Sequence, residues 1–282
     1  MAVDKLVDST QLDADLTSVA NAIRTKGGTS ASLAFPAGFV SAVEAIPSGG
    51  GGGSVSDLIA GTWPSGAVTD NVNTVARAYA LYGNSAMTSF QSSTITDLRE
   101  NSFKNCTALV SVNLPALTVM RNGTGTNTNA PGTFFESCSK LESVKMPELV
   151  NMYRNYAFSA SGKGTTNGLT IVLPKIQNLG VRAFRGTKCA AVDLGPDLVG
   201  ILTDTFYNGS YGAVILRKAS VVSAVNTDAI RSLTNVYVPQ SLISSYQTAS
   251  NWSSKYSGGY ITFHAIEGSQ YENYYADGTP IT

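Results

Sequence analysis

The one histidine of the chain, His264, stands in the apolar alternating run ITFHAI. No metal motif and no catalytic triad can be assembled around it, and it reads as an edge or end-cap residue. Cys106, Cys138 and Cys189 are an odd number without CxxC spacing, so they give neither a disulfide framework nor a zinc site. The run SGKGTT at 161–166 sets a lysine among glycines, but it lacks the GxxxxGK[ST] spacing and the following helix that cradle phosphate. Carboxylates such as Asp97, Glu136, Glu148, Asp193 and Asp204 are scattered, and their spacing nominates no glycosidase pair, which must stand about 5 to 10 Å apart. The expectation is a protein that is not an enzyme and that holds no metal or cofactor.

The remaining chemistry is that of contact. The run NMYRNYAF supplies Tyr153, Arg154 and Tyr156, and Tyr207 and Tyr211 follow downstream. Aromatic and guanidinium groups of this kind are enriched at interface hot spots, and a tyrosine ring can lie on a sugar while its hydroxyl hydrogen-bonds. Two polar insertions, RNGTGTNTNAPGT at 121–133 and SASGKGTTNG at 159–168, add Arg121, Asn122 and Asn127 as candidate contacts. Such insertions read either as solvated turns that a stacked fold tolerates or as recognition loops on a binding face.

What must position these groups is a repeat. SFKNCTALVSVNLPAL at 102–117 and TFFESCSKLESVKMPEL at 133–149 share one pattern, and it recurs to about residue 240. Phe90, Val112, Val144, Ile171, Val192, Val214 and Val236 each open a short alternating run, at spacings of 22, 32, 27, 21, 22 and 22. A period near 22 predicts a solenoid, because no such unit can bury its apolar face alone and stacking makes one continuous core. Alternation within each run predicts about seven short parallel strands, with Gln91, Asn113, Lys145, Val172, Asp193, Ile215 and Tyr237 in one outward column. Of that column, Asn113, Lys145, Asp193 and Tyr237 are candidate binding residues. Phe103, Phe135, Phe158, Phe184 and Phe206, with Ile230 in the last copy, are predicted to pack inward on the return side. Strands on one side and looser turns on the other predict an arc. Cys106 and Cys138 hold the same place in consecutive copies and read as stacked core residues.

Outside the repeats, Leu12, Leu16, Val19 and Ile23 recur at helical spacing, and Phe35, Phe39, Val43 and Ile46 mark a second short helix. Two such helices cannot enclose a core alone, so residues 1–47 read as an attachment or oligomerisation module. SGGGGGS at 48–54 is a flexible linker. The solenoid is assigned to 55–240, with residues 55–79 as its N-terminal cap, and 241–282 to a C-terminal cap that includes a helix from about Pro239 and a last strand, GYITFHAI. The tail EGSQYENYYADGTPIT has no period. Charged residues are 13% of the chain and cancel at 19 each, which argues against a nucleic-acid partner. No secretory signal is visible, and no run reaches the roughly 18 apolar residues of a membrane span.

The arrangement of residues 103–115, 135–147, 158–174 and 184–194 resembles the BspA-like leucine-rich repeats of bacterial surface proteins and phage-encoded tail proteins. The end VYVPQSLISSYQTASNWSSKY at 236–256 is similar to the segment that closes such arrays. LTSVANAIRTKGGTSASLAFPAGFVSAVEAI at 16–46 looks like a short module of phage tail and baseplate proteins. The resemblance implies an α/β solenoid whose array recognises the bacterial surface, protein or glycan, while the N-terminal helices dock on other virion tail proteins. It also implies a homo-oligomer, with a trimer as the form expected of a tail appendage. The alternative is a bacterial cell-surface adhesin with the same array. A third class, an enzyme acting on surface polysaccharide, would need a paired acid and nucleophile.

Overall fold

A computed structural model describes residues 16–21, 64–121, 132–153 and 155–273. Residues 16–21 are helical (α1). The rest of the N-terminal module and the glycine linker lie outside the described residues.

From Pro64 onward the chain winds in rungs. Its strands are β1 (Gly66–Thr69), β2 (Val75–Ala76), β3 (Met87–Gln91), β4 (Asp97–Leu98), β5 (Ser111–Asn113), β6 (Val119–Met120), β7 (Ser143–Lys145) and β8 (Asn151–Met152). They continue with β9 (Leu169–Leu173), β10 (Lys188–Leu194), β11 (Gly200–Ile201), β12 (Ser210–Leu216), β13 (Ser223–Ala224), β14 (Asn235–Val238) and β15 (Thr262–Ala265). The main sheet is parallel and nine-stranded, in the order β1-β3-β5-β7-β9-β10-β12-β14-β15. Its register pairs Phe90 with Val112, Val112 with Val144, Val144 with Ile171, Ile171 with Val192, Val192 with Val214 and Val214 with Val236. Every anchor of the repeat therefore lies beside the next. Val68 and Phe263 extend the row by one rung at each end, which accounts for nine strands against the seven anchors.

Where 21 residues separate two anchors, the corner proline of earlier copies (Pro115, Pro147, Pro174) is replaced by Gly195. A Cβ there would lie 1.8 Å from the carbonyl oxygen of Pro174, so only glycine fits.

The return side is more ordered than the loose turns expected. β2, β4, β6 and β8 form a second parallel ladder, and β11 pairs with β13. Beyond it, Phe103, Phe158, Phe184 and Phe206 are flanked two positions before and two after by left-handed backbone, and Phe135 two after. Examples are Asn101 and Asn105 around Phe103, Tyr156 and Ala160 around Phe158, and Arg182 and Gly186 around Phe184. The alternation turns successive N–H groups toward the next rung. Phe158 N donates to Ala183 O at 2.7 Å, Ala160 N to Arg185 O at 3.0 Å and Gly186 N to Tyr207 O at 2.8 Å. Backbone groups at the corners are thus paired between rungs, which a buried chain requires.

Between these sides the core is filled by identical columns. Phe103, Phe135, Phe158, Phe184 and Phe206 are wholly buried and stack at centroid distances of 5.0, 5.1, 5.7 and 5.5 Å, with interplanar angles of 16° or less. Offset stacking adds about 0.5–1.5 kcal/mol per pair to the burial of the rings. Cys106 and Cys138 are buried beside this row, and each thiol donates to a carbonyl of the preceding rung, Leu81 O and Phe103 O, at 3.0 Å.

The C-terminal end is closed by α2 (Ile243–Thr248) and α3 (Trp252–Ser257), whose Tyr246 and Trp252 are fully buried around Phe263. Both rings hold the backbone of Val222: its N–H donates to Tyr246 Oη at 2.9 Å, and its carbonyl accepts from Trp252 Nε1 at 2.8 Å. Burial pushes the Tyr246 hydroxyl up to about 12.

Phe158→Ala removes a ring stacked on both faces and is expected to cost about 3–5 kcal/mol, read from the urea unfolding midpoint. A variant as stable as the native protein would show that the rings do not carry the spine. The three buried thiols should resist alkylation in the folded protein and react once it is unfolded.

Candidate functional site

The outward column of the sheet forms as the alternation predicts. Thr69, Gln91, Asn113, Lys145, Val172, Asp193, Ile215, Tyr237 and His264 are in mutual register. Its two halves differ. Over β3 and β5 the column is polar and exposed, and Gln91 Nε2 donates to Thr69 Oγ1 at 2.7 Å. Over β9 to β12 it is buried, with Val172, Asp193 and Ile215 at most 2% exposed.

The end of the last strand run, with the tail that had no period, supplies the cover for β10 to β14. Ile266 packs with Ala191, Ala213 and Ile215, with Tyr237 and Tyr271 against them. Tyr237 lies between His264, stacked at 4.8 Å, and Tyr271, edge-on at 4.7 Å. Arg217 fastens the cover. Its Nε and Nη2 donate to the two Asp193 oxygens at 2.8 and 2.7 Å, and Nη2 and Nη1 donate to the carbonyls of Tyr271 and Glu272 at 2.6 and 3.2 Å. Burial pushes the Asp193 carboxyl above its ordinary value, and the bonds and charge of Arg217 pull it back only in part.

Two nominated contacts are therefore corrected. Asp193 is a buried ion-pair partner that no ligand reaches. Tyr211 is 5% exposed; its ring stands edge-on to Phe206 at 5.2 Å and its hydroxyl donates to Phe184 O, so it belongs to the core. Burial raises that hydroxyl far above the tyrosine range, with the nearby Cys189 adding to the effect. Arg121 is half-buried and donates through Nε and Nη2 to Asp97 Oδ2 at 3.1 and 3.0 Å, an oxygen that Arg99 also meets at 2.9 Å. Tyr153 is half-buried beyond β8. Asn122, Asn127 and Arg154 lie outside the described residues.

Tyr156 and Tyr207 are brought into a second surface that the sequence reading did not assemble. The chain turns outward two positions before Phe158, Phe184 and Phe206 and one position after Phe184, Phe206 and Ile230. Down the stack the first column runs Tyr156, Arg182, Asp204 and the second Arg185, Tyr207, Arg231. Neighbours touch across rungs: the Arg182 guanidinium lies 5.4 Å from the Tyr156 ring centre, and its Nε donates to Asp204 Oδ2 at 3.0 Å. Arg185 and Arg231 both lie over the Tyr207 ring, at 5.4 and 5.2 Å. Further up, Tyr79 meets Tyr82 at 5.6 Å, and Lys104 pairs with Glu136 at 2.6 Å. The signal was in the sequence, since the offsets from Phe158, Phe184 and Phe206 are constant. It is masked because the residue types vary from rung to rung.

Short strands and an inward phenylalanine at fixed offsets define the repeat unit, with a cysteine three places after the ring in two copies. Residues 77–169 match the BspA type leucine rich repeat region, in six copies. The rungs continue in the same register beyond that stretch, through β10, β12 and β14 to Ala265. No curated protein is similar enough to the chain to match it. Among the described residues no group of three or more histidine, cysteine or acidic side chains could hold a metal ion, and no helix is long and apolar enough to cross a membrane.

The clasp gives a signed prediction. Asp193 has a folded pKa above its unfolded one, so its contribution favours the fold at low pH and is lost as pH rises through the folded value. Arg217→Met strands the carboxylate and should cost about 3–5 kcal/mol at pH 7. The loss should shrink at a lower pH, as the buried carboxyl takes up its proton. Equal losses in urea at both pH values would separate Asp193 from the effect.

Proposed function

We propose that the chain is a surface-recognition protein whose leucine-rich repeat array binds a component of the bacterial envelope, protein or glycan. One observation supports the reading above the others. Side chains at equivalent places on successive rungs stand in half-buried to exposed columns over a filled core, at the strand spacing of about 4.8 Å. A surface of that kind meets an extended partner at many points. The BspA type repeat is in keeping with a surface or adhesion protein of non-enzymatic kind.

The setting we favour is a phage tail, with the N-terminal module attached to other tail proteins and the array reaching the host across the glycine linker. It rests on the resemblance of residues 16–46 to tail and baseplate modules. Several copies on one particle would convert modest contacts into avidity. The same array on a cell would serve as an adhesin.

The test is binding of the full chain to cells of the bacterium, or of the phage's host, from which its gene derives. Saturable binding is expected, and Tyr156→Ala with Tyr207→Ala should weaken it by about 2 kcal/mol or more if these rings act as hot spots. Folded protein that binds no such cells would overturn the reading. Recovery of the chain in purified particles, or its absence from them, decides between tail and adhesin.

A further inference from the structure

We propose that the return-side surface around Tyr207 is a site for oxyanions, phosphate or carboxylate, carried on a linear polymer. The inference deepens the recognition reading and rests on it.

The chain is electrically neutral and sparsely charged, yet cations gather here. Arg185 and Arg231 both lie over one ring, that of Tyr207. Lys163 comes to the same place, its Nζ 3.7 Å from where a Cβ on Gly186 would stand. Arg182 is one rung position away, over Tyr156. Against these four cations stand Asp204, which holds Arg182, and Asp228, which meets Arg231 at 3.2 Å. Among the described residues neither Arg185 nor Lys163 has a carboxylate partner.

Two guanidiniums sharing one ring repel each other, and the negative face of the ring offsets that only in part. An oxyanion bound beside either one lowers that repulsion and takes paired N–H bonds from a planar donor, a geometry that suits phosphate and carboxylate. The Arg231–Asp228 pair does not block this. Both side chains are half exposed, at 55% and 50%, and an exposed pair is readily exchanged for a better acceptor. Stacking has already ordered Arg185 and Tyr207, so less freedom is lost on binding. Arg185 and Arg231 stand two rungs apart, which fits a chain with a repeated anionic group better than a lone ion.

Nucleic acid is the less favoured polyanion. Tyr207 has guanidiniums over it where a base would stack, and the chain lacks the net positive charge of such binders.

The experiment measures retention of the full-length protein on four immobilised polymers: poly(glycerol phosphate), polygalacturonate, neutral dextran and a single-stranded oligonucleotide. Binding is expected on the first, the second or both, which identifies phosphate, carboxylate or either as the group taken. It should be absent on dextran and fall steeply between 0.1 and about 1 M salt, where the screening length drops from about 10 to about 3 Å. Arg185→Gln with Arg231→Gln should weaken it by about tenfold or more at an unchanged melting temperature, whereas Lys104→Gln, distant on the same face, should not.

Failure on both anionic polymers by a protein that still binds cells overturns this site and leaves the recognition reading standing. Failure on cells, with polymer binding intact, overturns the recognition reading alone. Tighter binding to the oligonucleotide than to the base-free polymers would assign the site to nucleic acid and also overturn the proposal.

Discussion

Every rung of this protein must hand its backbone hydrogen bonds to the next, and it does so on all three sides. The main sheet meets the demand with ordinary parallel pairing. The corners beyond the second ladder cannot, because the chain there has to turn while its N–H groups still face along the stack. Left-handed residues two places before and after four of the five inward rings, and two after Phe135, solve that problem. Asn101, Asn105, Asp204 and Asn208 accept the conformation easily, since short polar side chains tolerate it. Tyr156 and Arg182 do so at a cost of about 1–2 kcal/mol each. Their cost is offset by hydrogen bonds to Val181 and Thr203 and by the buried rings beside them.

Much of this was legible in the sequence because it is periodic. The anchors Val112, Val144, Val192 and Val214, the inward phenylalanines and the outward column all follow from a repeat near 22 and from alternation. The buried Cys106 and Cys138 follow as well. Two kinds of feature do not follow. Two-residue strands such as β6 and β8 carry no pattern of their own and exist only because the rungs align. The cover over β10 to β14 depends on Arg217 meeting Tyr271 and Glu272 across more than fifty residues, and no local signal announces such a contact. That contact turns the outward column of the later rungs from a candidate binding face into a second small core. It is also why Asp193, an outward residue by alternation, is shut away.

The candidate surfaces divide accordingly. The early rungs present an uncharged polar face on the main sheet, with Gln91 and Asn113 open to solvent. The later rungs have closed theirs, and their exposed variety has moved to the return side, where Tyr156, Arg182, Tyr207 and Arg231 stand in contact. Arg121, nominated from an insertion, holds Asp97 in place. Both Tyr156 and Tyr207 were visible as residues, but their arginine neighbours were not, because adjacency here runs across copies and not along the chain.

The constant offsets separate two kinds of information. Phe158, Phe184 and Phe206 specify how the polypeptide is wound, while the residues beside them write something else on the outside without disturbing the winding. Duplication or exchange of one unit would leave the architecture intact and change the message. A lineage carrying such an array could track a shifting target by shuffling modules, without reinventing its scaffold.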